Sequence, residues 1–516
     1  MLTAPARQPK SWLVLALCNL LLVALAAGIG QPSVWHGKEW FIDGGLTLQT
    51  ADLLLHGKKL FVDAFYQYGP GSIGIYVLWC KWFGNTVAHF GTLALLVALL
   101  NVSLVLLLLR RTGISVAASA VASIALLPYF LLPSPGVLYL HFEKTLTLAA
   151  LLLWKPPAER SSSRGFLLGI ALGSMQWMRF GALIGIMGGI LVVDLMLERR
   201  ISRALISAVL WCVAGVLMVE ATLAAYLFAT LPQDVATDVL WPYFMAASYS
   251  PYAAAGVRFP SYSNLHYFIG EQLPMVVCAV LGIVSLVFLV QRRLTERSAI
   301  LVAPFVAFAI YCSFYYKHVW HYYQGTWLLV LPAALMLQHF PAVGKAVVAL
   351  LCLPGLFVAL RTNFGKAPDP TAQAAVLPTG DRVWESADDL RRNQAMIQSL
   401  AKIPDNGRPG VFFLSRDNMV LSSHLHFFYG IPQPARHSMI YPGWLQERDF
   451  HDLPNILDRS KAIVLMQDID RGAPPQDACL WESHFYPHPY CDQISARLDA
   501  PVRVDNLYWI FPLRRP

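Results

Sequence analysis

The sequence contains few charged residues for its length, and they are unevenly distributed. Charged residues make up 14% of its 516 positions, whereas soluble domains carry about 25%. The shortage falls on residues 1–360, where one apolar run follows another, while residues 361–516 have the composition of an ordinary soluble domain. A bilayer core requires about 20 apolar residues per helix. The shortage therefore excludes a soluble protein over the first 360 residues and predicts a polytopic membrane domain there.

Several motifs of other enzyme and transporter classes are missing. The chain has no glycine-rich phosphate loop, no Cys-X-X-Cys and no Gly-X-Ser-X-Gly nucleophile elbow. It also lacks an internal repeat, which many secondary transporters show as two similar halves. These absences argue against nucleotide-dependent, dithiol redox and serine-hydrolase chemistry, and they weigh against a transporter.

Cysteine is scarce, and its eight positions divide between the two parts of the chain. Six lie in or near apolar runs and are interpreted as small buried hydrophobic residues: Cys18, Cys80, Cys212, Cys278, Cys312 and Cys352. Cys479 and Cys491 lie in the soluble part. They form a disulfide if that part of the chain faces an oxidising compartment, and otherwise they are two free thiols.

The net charge of +8 comes from the apolar part, where residues 1–360 hold 22 Lys and Arg against 13 Asp and Glu. These cations lie in short loops between apolar runs, as cytoplasmic loops do, so they predict no nucleic-acid partner. The loop cations and the N-terminal Arg7 and Lys10 fall on one side. The pattern therefore predicts a cytoplasmic N-terminus and an extracytoplasmic C-terminal domain.

The apolar runs predict about eleven transmembrane helices. Their predicted ranges are 11–31, 87–109, 114–132, 142–154, 165–178, 181–197, 204–231, 272–290, 298–315, 322–338 and 341–360. A further short apolar stretch covers 70–83. If 165–178 and 181–197 formed one broken span, the parity of the count would change and the C-terminal domain would be cytoplasmic.

The C-terminal part is predicted to be a mixed α/β domain. Short apolar runs bounded by polar residues predict strands at 411–414, 462–466 and 507–513, and helical spacing covers 388–400. The expected fold class is therefore an α-helical polytopic membrane domain, residues 1–360, followed by a small mixed α/β soluble domain, residues 361–516.

The loop between the first two spans, residues 32–68, carries two candidate carboxylates. Asp43 precedes an amphipathic stretch, residues 44–56, which is too short to span a bilayer and suits a helix in the membrane interface that stops at Gly57. Asp43 is either the N-cap of that helix or a catalytic carboxylate at the membrane surface. Asp63 is either a turn residue or a second functional carboxylate.

The sequence of this loop resembles the first extracytoplasmic loop of the GT-C glycosyltransferases. The similarity rests on Asp43-Gly44-Gly45, on Leu-Leu-His-Gly-Lys at 54–58, and on Phe-Val-Asp-Ala-Phe-Tyr-Gln-Tyr-Gly-Pro-Gly at 61–71. It is similar to the aminoarabinose transferase and protein O-mannosyltransferase relatives. The family often has Asp-Glu where this chain has Asp43-Gly44, so Asp43 is the only candidate at that position.

The resemblance implies an inverting transfer of sugar from a polyprenyl-phosphate donor to a glycan, lipid or protein acceptor on the extracytoplasmic side, in a bacterial inner membrane. It implies that Asp43 is the general base and Asp63 the second acidic residue, with Tyr68 beside the substrate. A phosphate leaving group needs little protonation, whereas the acceptor hydroxyl needs a base. The alternatives are a transporter or flippase of lipid-linked glycans and a non-catalytic assembly protein.

Cations on the extracytoplasmic side are candidates to bind the donor phosphate. Arg179 lies between two apolar spans, and its alternative role is that of an interfacial arginine. Arg258 lies in a long aromatic loop, where it either binds phosphate or only solvates the loop. Lys317, His321 and Gln324 share one helical face, with His318 beside them, and the alternative for this group is a belt of interfacial residues.

A metal is the remaining open question about cofactors. His141 and Glu143 could hold a divalent cation together with Asp43 or Asp63, or Glu143 could pair with Lys144 at the interface. Some GT-C enzymes depend on a metal and some do not. The pair His424 and His426 in the soluble part has no further ligand pattern.

Overall fold

A computed structural model provides the coordinates of the protein. It describes residues 10–35, 43–66, 68–127, 138–178, 182–240, 273–307, 326–360, 372–376, 380, 382–415, 420–440, 449, 451–466, 493–505 and 507–514. All structural statements below concern these residues.

Helices dominate the first 360 residues. They are α1 Lys10–Trp35, α2 Asp43–Leu55, α3 Pro70–Phe83, α4 Val87–Arg111, α5 Val116–Ala125, α6 Leu138–Leu153, α7 Ser162–Met178, α8 Ala182–Glu198, α9 Arg203–Thr230, α10 Gln233–Leu240, α11 Leu273–Val290, α12 Val330–His339 and α13 Pro341–Leu360. Short 3₁₀ segments occupy Pro157–Glu159, Ser298–Val302 and Thr326–Leu329.

Polar residues just before several helices set where they begin. The hydroxyl oxygens of Thr86, Ser115 and Ser202 accept hydrogen bonds of 3.1–3.2 Å from the backbone N–H three residues later. Each bond satisfies one of the N–H groups that a helix leaves without a partner. The two arginines that end α4 lie at its C-terminus, where the helix dipole favours cations.

The helices pack closely through glycine. A Cβ added to Gly169 of α7 would lie 2.0 Å from the carbonyl oxygen of Cys212, and one added to Gly215 of α9 would lie 2.2 Å from that of Phe166. Small residues at such crossings let two backbones approach and gain van der Waals contact, which is how helices associate in lipid.

The outer faces of this bundle are apolar. Large apolar side chains are exposed along α1, α4 and α9, including Leu13, Leu20, Leu100, Leu210 and Leu217. Among the described helices, Val87–Arg111 and Arg203–Thr230 are long and apolar enough to cross a membrane. Such an exterior suits lipid rather than water. The predicted total of about eleven spans stays a prediction.

One of the basic residues between α6 and α7 is buried. Arg160 pairs with Asp194 of α8 at 2.8 and 2.9 Å. Trp154 Nε1 donates to the same carboxylate at 2.9 Å. Hydropathy places a cation in a loop, but it does not show that a carboxylate on another helix will bury it.

The C-terminal part contains the named strands. Its main sheet has the order β3-β6-β8-β7, with β3 and β6 parallel and the other neighbours antiparallel. The strands of that sheet are β3 Gly410–Ser415, β6 Ser460–Met466, β7 Val502–Val504 and β8 Tyr508–Pro512. Two small pairs join β1 Ala372–Val376 to β2 Arg382–Ser386 and β4 Val420–Leu421 to β5 Met439–Ile440.

Three helices accompany these strands, namely α14 Ala387–Ala401, α15 Ser423–Tyr429 and α16 Leu453–Arg459. Alternate residues of β3 and β6 enter two separate apolar clusters, one on each face of the sheet. A sheet buried on both faces requires continuous apolar runs rather than alternation. The predicted strands at 411–414, 462–466 and 507–513 and the helix at 388–400 are therefore observed at those positions.

The helix after Asp43 forms and stops as the sequence predicts. Beyond Leu55, Gly57 has a φ of +82°, and the N–H groups of Gly57 and Lys58 bond to the carbonyls of Leu54 and Leu53 at 3.1 and 3.0 Å. This paired pattern requires a left-handed residue, which glycine adopts without strain.

Most of α2 is buried within the protein, and its predicted position in the membrane interface stays a prediction. Residues 44–51 are all buried. Leu46 and Leu48 share a cluster with Tyr76 of α3, and Phe427 and Phe428 of α15 join the same cluster from the C-terminal domain. The C-terminal domain therefore covers part of the apolar surface of α2.

Candidate functional site

Helix α2 begins at Asp43 and packs directly against the C-terminal domain. A Cβ added to Gly45 would lie 3.0–3.1 Å from the backbone and Cβ of His424, so only glycine allows α15 to approach this closely. Further along α2, Gln49 Nε2 donates to Gln433 Oε1 at 3.0 Å. The predicted base therefore begins a helix that lies between the membrane helices and the soluble domain.

Asp63 lies in the turn that follows α2, and its side chain is exposed. Its Oδ2 accepts a hydrogen bond of 2.8 Å from the N–H of Lys59. The N–H groups of Asp63 and Ala64 both bond to the carbonyl of Lys59. These contacts give Asp63 the turn role that the sequence left open, and its catalytic role stays a prediction.

Two tyrosines after this turn are buried against the helices. Tyr68 stacks on Tyr139 at the start of α6, with ring centroids 3.5 Å apart, and it meets Tyr66 edge-on at 5.5 Å. The hydroxyl of Tyr66 lies 3.4 Å from those of Thr47 and Ser72. Tyr68, predicted beside the substrate, is thus part of an aromatic wall between the first loop and α6.

The Gly69-Pro70-Gly71 segment fits against the end of α7. The N–H of Gly69 donates to the carbonyl of Met178 at 3.1 Å, and a Cβ on Gly69 would lie 2.2 Å from the carbonyl oxygen of Trp177. Met178 is the last described residue before Arg179. The first loop and the backbone that leads to Arg179 therefore meet.

Shortly after Tyr139, α6 carries two buried basic residues. His141 and Lys144 are 1% and 4% exposed. Asn101 of α4 donates to the carbonyl of His141 at 2.8 Å and accepts from Thr145 at 2.7 Å, which fixes this part of α6 against α4. The Nδ1 atom of His141 has no hydrogen-bond partner among the described residues.

The candidate metal pair, His141 and Glu143, does not form a chelate by itself. Residues two apart on a helix point in different directions. Within the described ranges, no three His, Cys, Asp or Glu side chains come together as metal ligands. Asp63 is occupied by its turn, so a metal at this place would need ligands from elsewhere in the chain.

The two histidines of α15 have separate environments. His426 is buried, its Nδ1 donates to the carbonyl of Ile431 at 2.9 Å, and its ring meets Phe413 edge-on. Burial lowers the pKa of His426 to about 4, against the smaller effect of that hydrogen bond. His424 instead lies over Gly45, so the pair does not form a shared metal site.

A buried ionic cluster in the C-terminal domain includes Arg436, which also bonds to the carbonyl of Phe61 in the first loop. Arg436 makes two hydrogen bonds to Asp449, at 2.6 and 2.8 Å, and His437 Nε2 lies 2.7 Å from the same carboxylate. Burial alone would raise the pKa of Asp449, but its charged and hydrogen-bonded partners His437 and Arg436 outweigh burial and hold that pKa well below its usual value. Asp449 is therefore a carboxylate with two cationic or hydrogen-bonding partners.

The remaining predicted site residues lie outside the described residues. They are Arg179, Arg258, Lys317, His318, His321 and Gln324, and the same holds for Cys479 and Cys491. Their proposed roles stay predictions. Of Asp43, only the backbone at the start of α2 is described.

Sequence reasoning did not identify Arg436 as part of this region. It named Gly45 only within the first-loop motif and Lys144 only as a possible partner of Glu143, although a lysine within an apolar run is itself a signal of function or of a buried partner. Nothing local in the sequence marks Arg436 or the close approach of Gly45 to His424, because these contacts lie hundreds of residues away.

Comparisons with known proteins give a fold and no closer relationship. No family model and no curated protein sequence matches the chain. Among solved structures, ArnT from Cupriavidus metallidurans bound to undecaprenyl phosphate matches with a TM-score of 0.53 and 13% identity, covering 98% of both chains. The apo structure of that protein matches with a TM-score of 0.50 and 14% identity, over 95% of this chain and 97% of the other. The chain therefore has the fold of ArnT, an aminoarabinose transferase of the GT-C kind, as the motif of its first loop predicted.

Proposed function

We propose that the protein is an integral membrane GT-C glycosyltransferase that transfers a sugar from a polyprenyl-phosphate donor to an acceptor outside the cytoplasm. The match over 98% of both chains to a protein bound to undecaprenyl phosphate carries this proposal. The first-loop motif supports the proposal independently of that match. Asp43 begins α2, and α2 lies where the C-terminal domain meets the membrane helices.

In the proposed reaction Asp43 is the general base. It takes the proton of the acceptor hydroxyl while that oxygen attacks the anomeric carbon of the donor sugar. The bond between that carbon and the phosphate oxygen breaks, and polyprenyl phosphate leaves with the electron pair. Attack opposite to the leaving group inverts the anomeric configuration, and one positioned carboxylate is sufficient for the proton transfer.

The leaving phosphate requires cations within a site that excludes water. Arg179 follows the backbone that Gly69 contacts, and the segment containing Lys317, His318, His321 and Gln324 is the other predicted donor-binding element, with Arg258 a further candidate. Lys144 is an additional buried basic residue on α6, the helix that carries Tyr139. These residues are proposed to surround the phosphate, with the lipid chain along the apolar bundle.

The proposed location is a bacterial inner membrane, with the N-terminus in the cytoplasm and residues 361–516 in the periplasm. The acceptor is a glycan, a lipid or a protein. A divalent metal remains a candidate cofactor. The C-terminal domain is proposed to close the site and to contribute to acceptor recognition, because it already covers α2.

The test is a pair of isosteric substitutions in one helix. Asp43→Asn removes the proposed base, and Asp52→Asn changes a partly exposed carboxylate near the other end of α2. Turnover is measured as release of undecaprenyl phosphate from undecaprenyl-phosphate sugars, with membrane extract of the producing cells as the acceptor source. We expect Asp43→Asn to lower turnover by about 10²-fold or more, and Asp52→Asn to leave it unchanged.

Donor binding is followed separately. Undecaprenyl phosphate should raise the thermal unfolding midpoint of the wild type and of Asp43→Asn alike, because a ligand stabilises the state it binds. Full turnover by Asp43→Asn would contradict the role of the base. Neither turnover nor a thermal shift in the wild type would contradict the transferase itself.

A further inference from the structure

Arg436 joins two segments that are 375 positions apart in the chain. Its Nη1 donates to the carbonyl of Phe61 at 3.0 Å, and its own carbonyl accepts from the N–H of Phe65 at 2.7 Å. Its guanidinium also lies over the Phe65 ring, 5.5 Å from the centroid, and the His437 ring lies 4.7 Å from Phe65. One residue of the C-terminal domain thus contacts both sides of the turn that follows α2.

The guanidinium is itself held in place by Asp449. Two parallel hydrogen bonds between an arginine and a carboxylate fix the plane of the guanidinium as well as its position. The side chains of Arg436 and Asp449 are only 10% and 5% exposed. One N–H of Nη1 in the same planar group therefore points to the Phe61 carbonyl in a fixed direction.

A gain in folding stability does not by itself explain why such a pair is buried. Removing two charges from water is costly, and an apolar replacement of similar volume is often as stable. The other described Arg–Asp pairs around β6 and α16 differ in this respect. Arg459–Asp452, Arg497–Asp458 and Arg514–Asp499 each keep the carboxylate at least 41% exposed. The buried pair is the one that reaches the first loop.

The turn held by Arg436 leads directly into the aromatic wall. Phe65 is followed by Tyr66, which reaches Thr47 of α2, and by Tyr68, which stacks on Tyr139. The membrane helices therefore fix one end of the first loop, and the C-terminal domain fixes the other. Loss of the second attachment would free the segment between α2 and Tyr66 without unfolding either domain.

We propose that Arg436 is a positioning residue of the transferase: through its hydrogen bond to Phe61 and its contact with Phe65, the C-terminal domain holds the first loop, and with it the site, in its working geometry. This rests on the proposed function. The role is one of geometry, because Arg436 is engaged by Asp449, Phe61 and Phe65.

The experiment uses the full-length protein and four variants. Arg436→Met removes the guanidinium, and Arg436→Lys keeps the charge but lacks the planar fork that serves Asp449 and Phe61 together. Phe65→Leu removes the ring from the opposite side and serves if the arginine variants fail to fold. Arg459→Met is the matched control, since it breaks an exposed Arg–Asp pair in the same domain.

Two measurements are made on each variant. Hydrogen exchange of the Phe65 amide, whose hydrogen bond crosses to Arg436, should be about tenfold faster or more in both arginine variants and in Phe65→Leu. Exchange in β6 should be unchanged. In the turnover assay kcat should fall about tenfold, with KM for the lipid donor within about twofold, because misplaced reacting groups slow the step after binding. Arg459→Met should match the wild type in both.

The outcomes separate the two proposals. Unchanged exchange at Phe65 would show that Arg436 does not hold the loop, and the inference would be wrong. Faster exchange with unchanged kcat would also overturn it, while the transferase would stand. A wild type that turns over no lipid-phosphate sugar would overturn the proposed function, and the positioning role with it, whatever the exchange result.

Discussion

At the scale of single residues, His426 couples the stability of the fold to pH. It is neutral and buried beneath β3, and its pKa is about 4 against an ordinary 6.5. Between these values an unfolded chain binds a proton that the folded chain does not. Stability from this residue is therefore complete above pH 6.5 and is lost progressively as the pH falls to about 4.

This difference corresponds to about 3 kcal/mol in the free energy of unfolding across that window. His426→Asn places an amide donor near the position of Nδ1 and removes the titration. We expect the wild type to lose thermal stability between pH 6.5 and 4 more steeply than the variant. Equal slopes in differential scanning fluorimetry would contradict the assignment.

Asp63 is a second residue whose role the geometry narrows. Because its carboxylate accepts the Lys59 N–H in an exposed turn, asparagine should form the same contact. We expect Asp63→Asn to keep turnover within about threefold of the wild type, since the turn is preserved. A loss as large as that of Asp43→Asn, measured in the same assay, would mean that both carboxylates take part in the chemistry.

At the scale of elements, the contact between α8 and the segment before α7 depends on one buried ion pair. Asp194 receives hydrogen bonds from Arg160 and Trp154, and Arg160 also donates to the carbonyl of Lys155. The side chains of Arg160 and Asp194 are each 1% exposed. Removal of one charge leaves the other buried without compensation.

Asp194→Asn should therefore destabilise the bundle by about 3–5 kcal/mol. Glu159→Gln is the matched control, because the Lys155–Glu159 pair is largely exposed and contributes at most about 1 kcal/mol. Thermal inactivation of both variants in detergent provides the comparison. Similar midpoints for the two would show that the buried pair is not a structural requirement.

At the scale of the whole molecule, the C-terminal domain and the membrane helices share one buried helix. Helix α2 has apolar contacts on both sides, and its backbone comes close to the C-terminal domain at Gly45, beside His424. Docking of the domain therefore depends on the absence of a side chain at position 45.

Gly45→Leu should weaken this docking without affecting the core of either part. We expect faster proteolytic separation of the two parts and more rapid hydrogen exchange in α2. Gly74→Ala is the control, because a Cβ on Gly74 meets no atom within 4 Å and alanine favours a helix by about 1 kcal/mol. A Gly45→Leu variant as resistant to protease as the control would contradict the docking.

The amino-acid sequence by itself determined the local features of this protein. Apolar runs specify the helices, the runs at 411–414 and 462–466 specify buried strands, and Gly57 ends α2. These features follow from backbone preference and hydropathy over a few consecutive residues. The resemblance of the first-loop motif to the GT-C glycosyltransferases also predicted the fold that ArnT shares.

Only the tertiary structure decided that α2 is covered, that Tyr68 stacks on Tyr139, and that Arg436 holds the first loop. An amphipathic pattern shows that one face of a helix is polar, but Thr47 and Gln49 can meet either water or another domain. Contacts between residues far apart in the chain, such as Phe61 and Arg436, leave no periodic pattern in the sequence. Such residues meet only because complete helices and strands pack together.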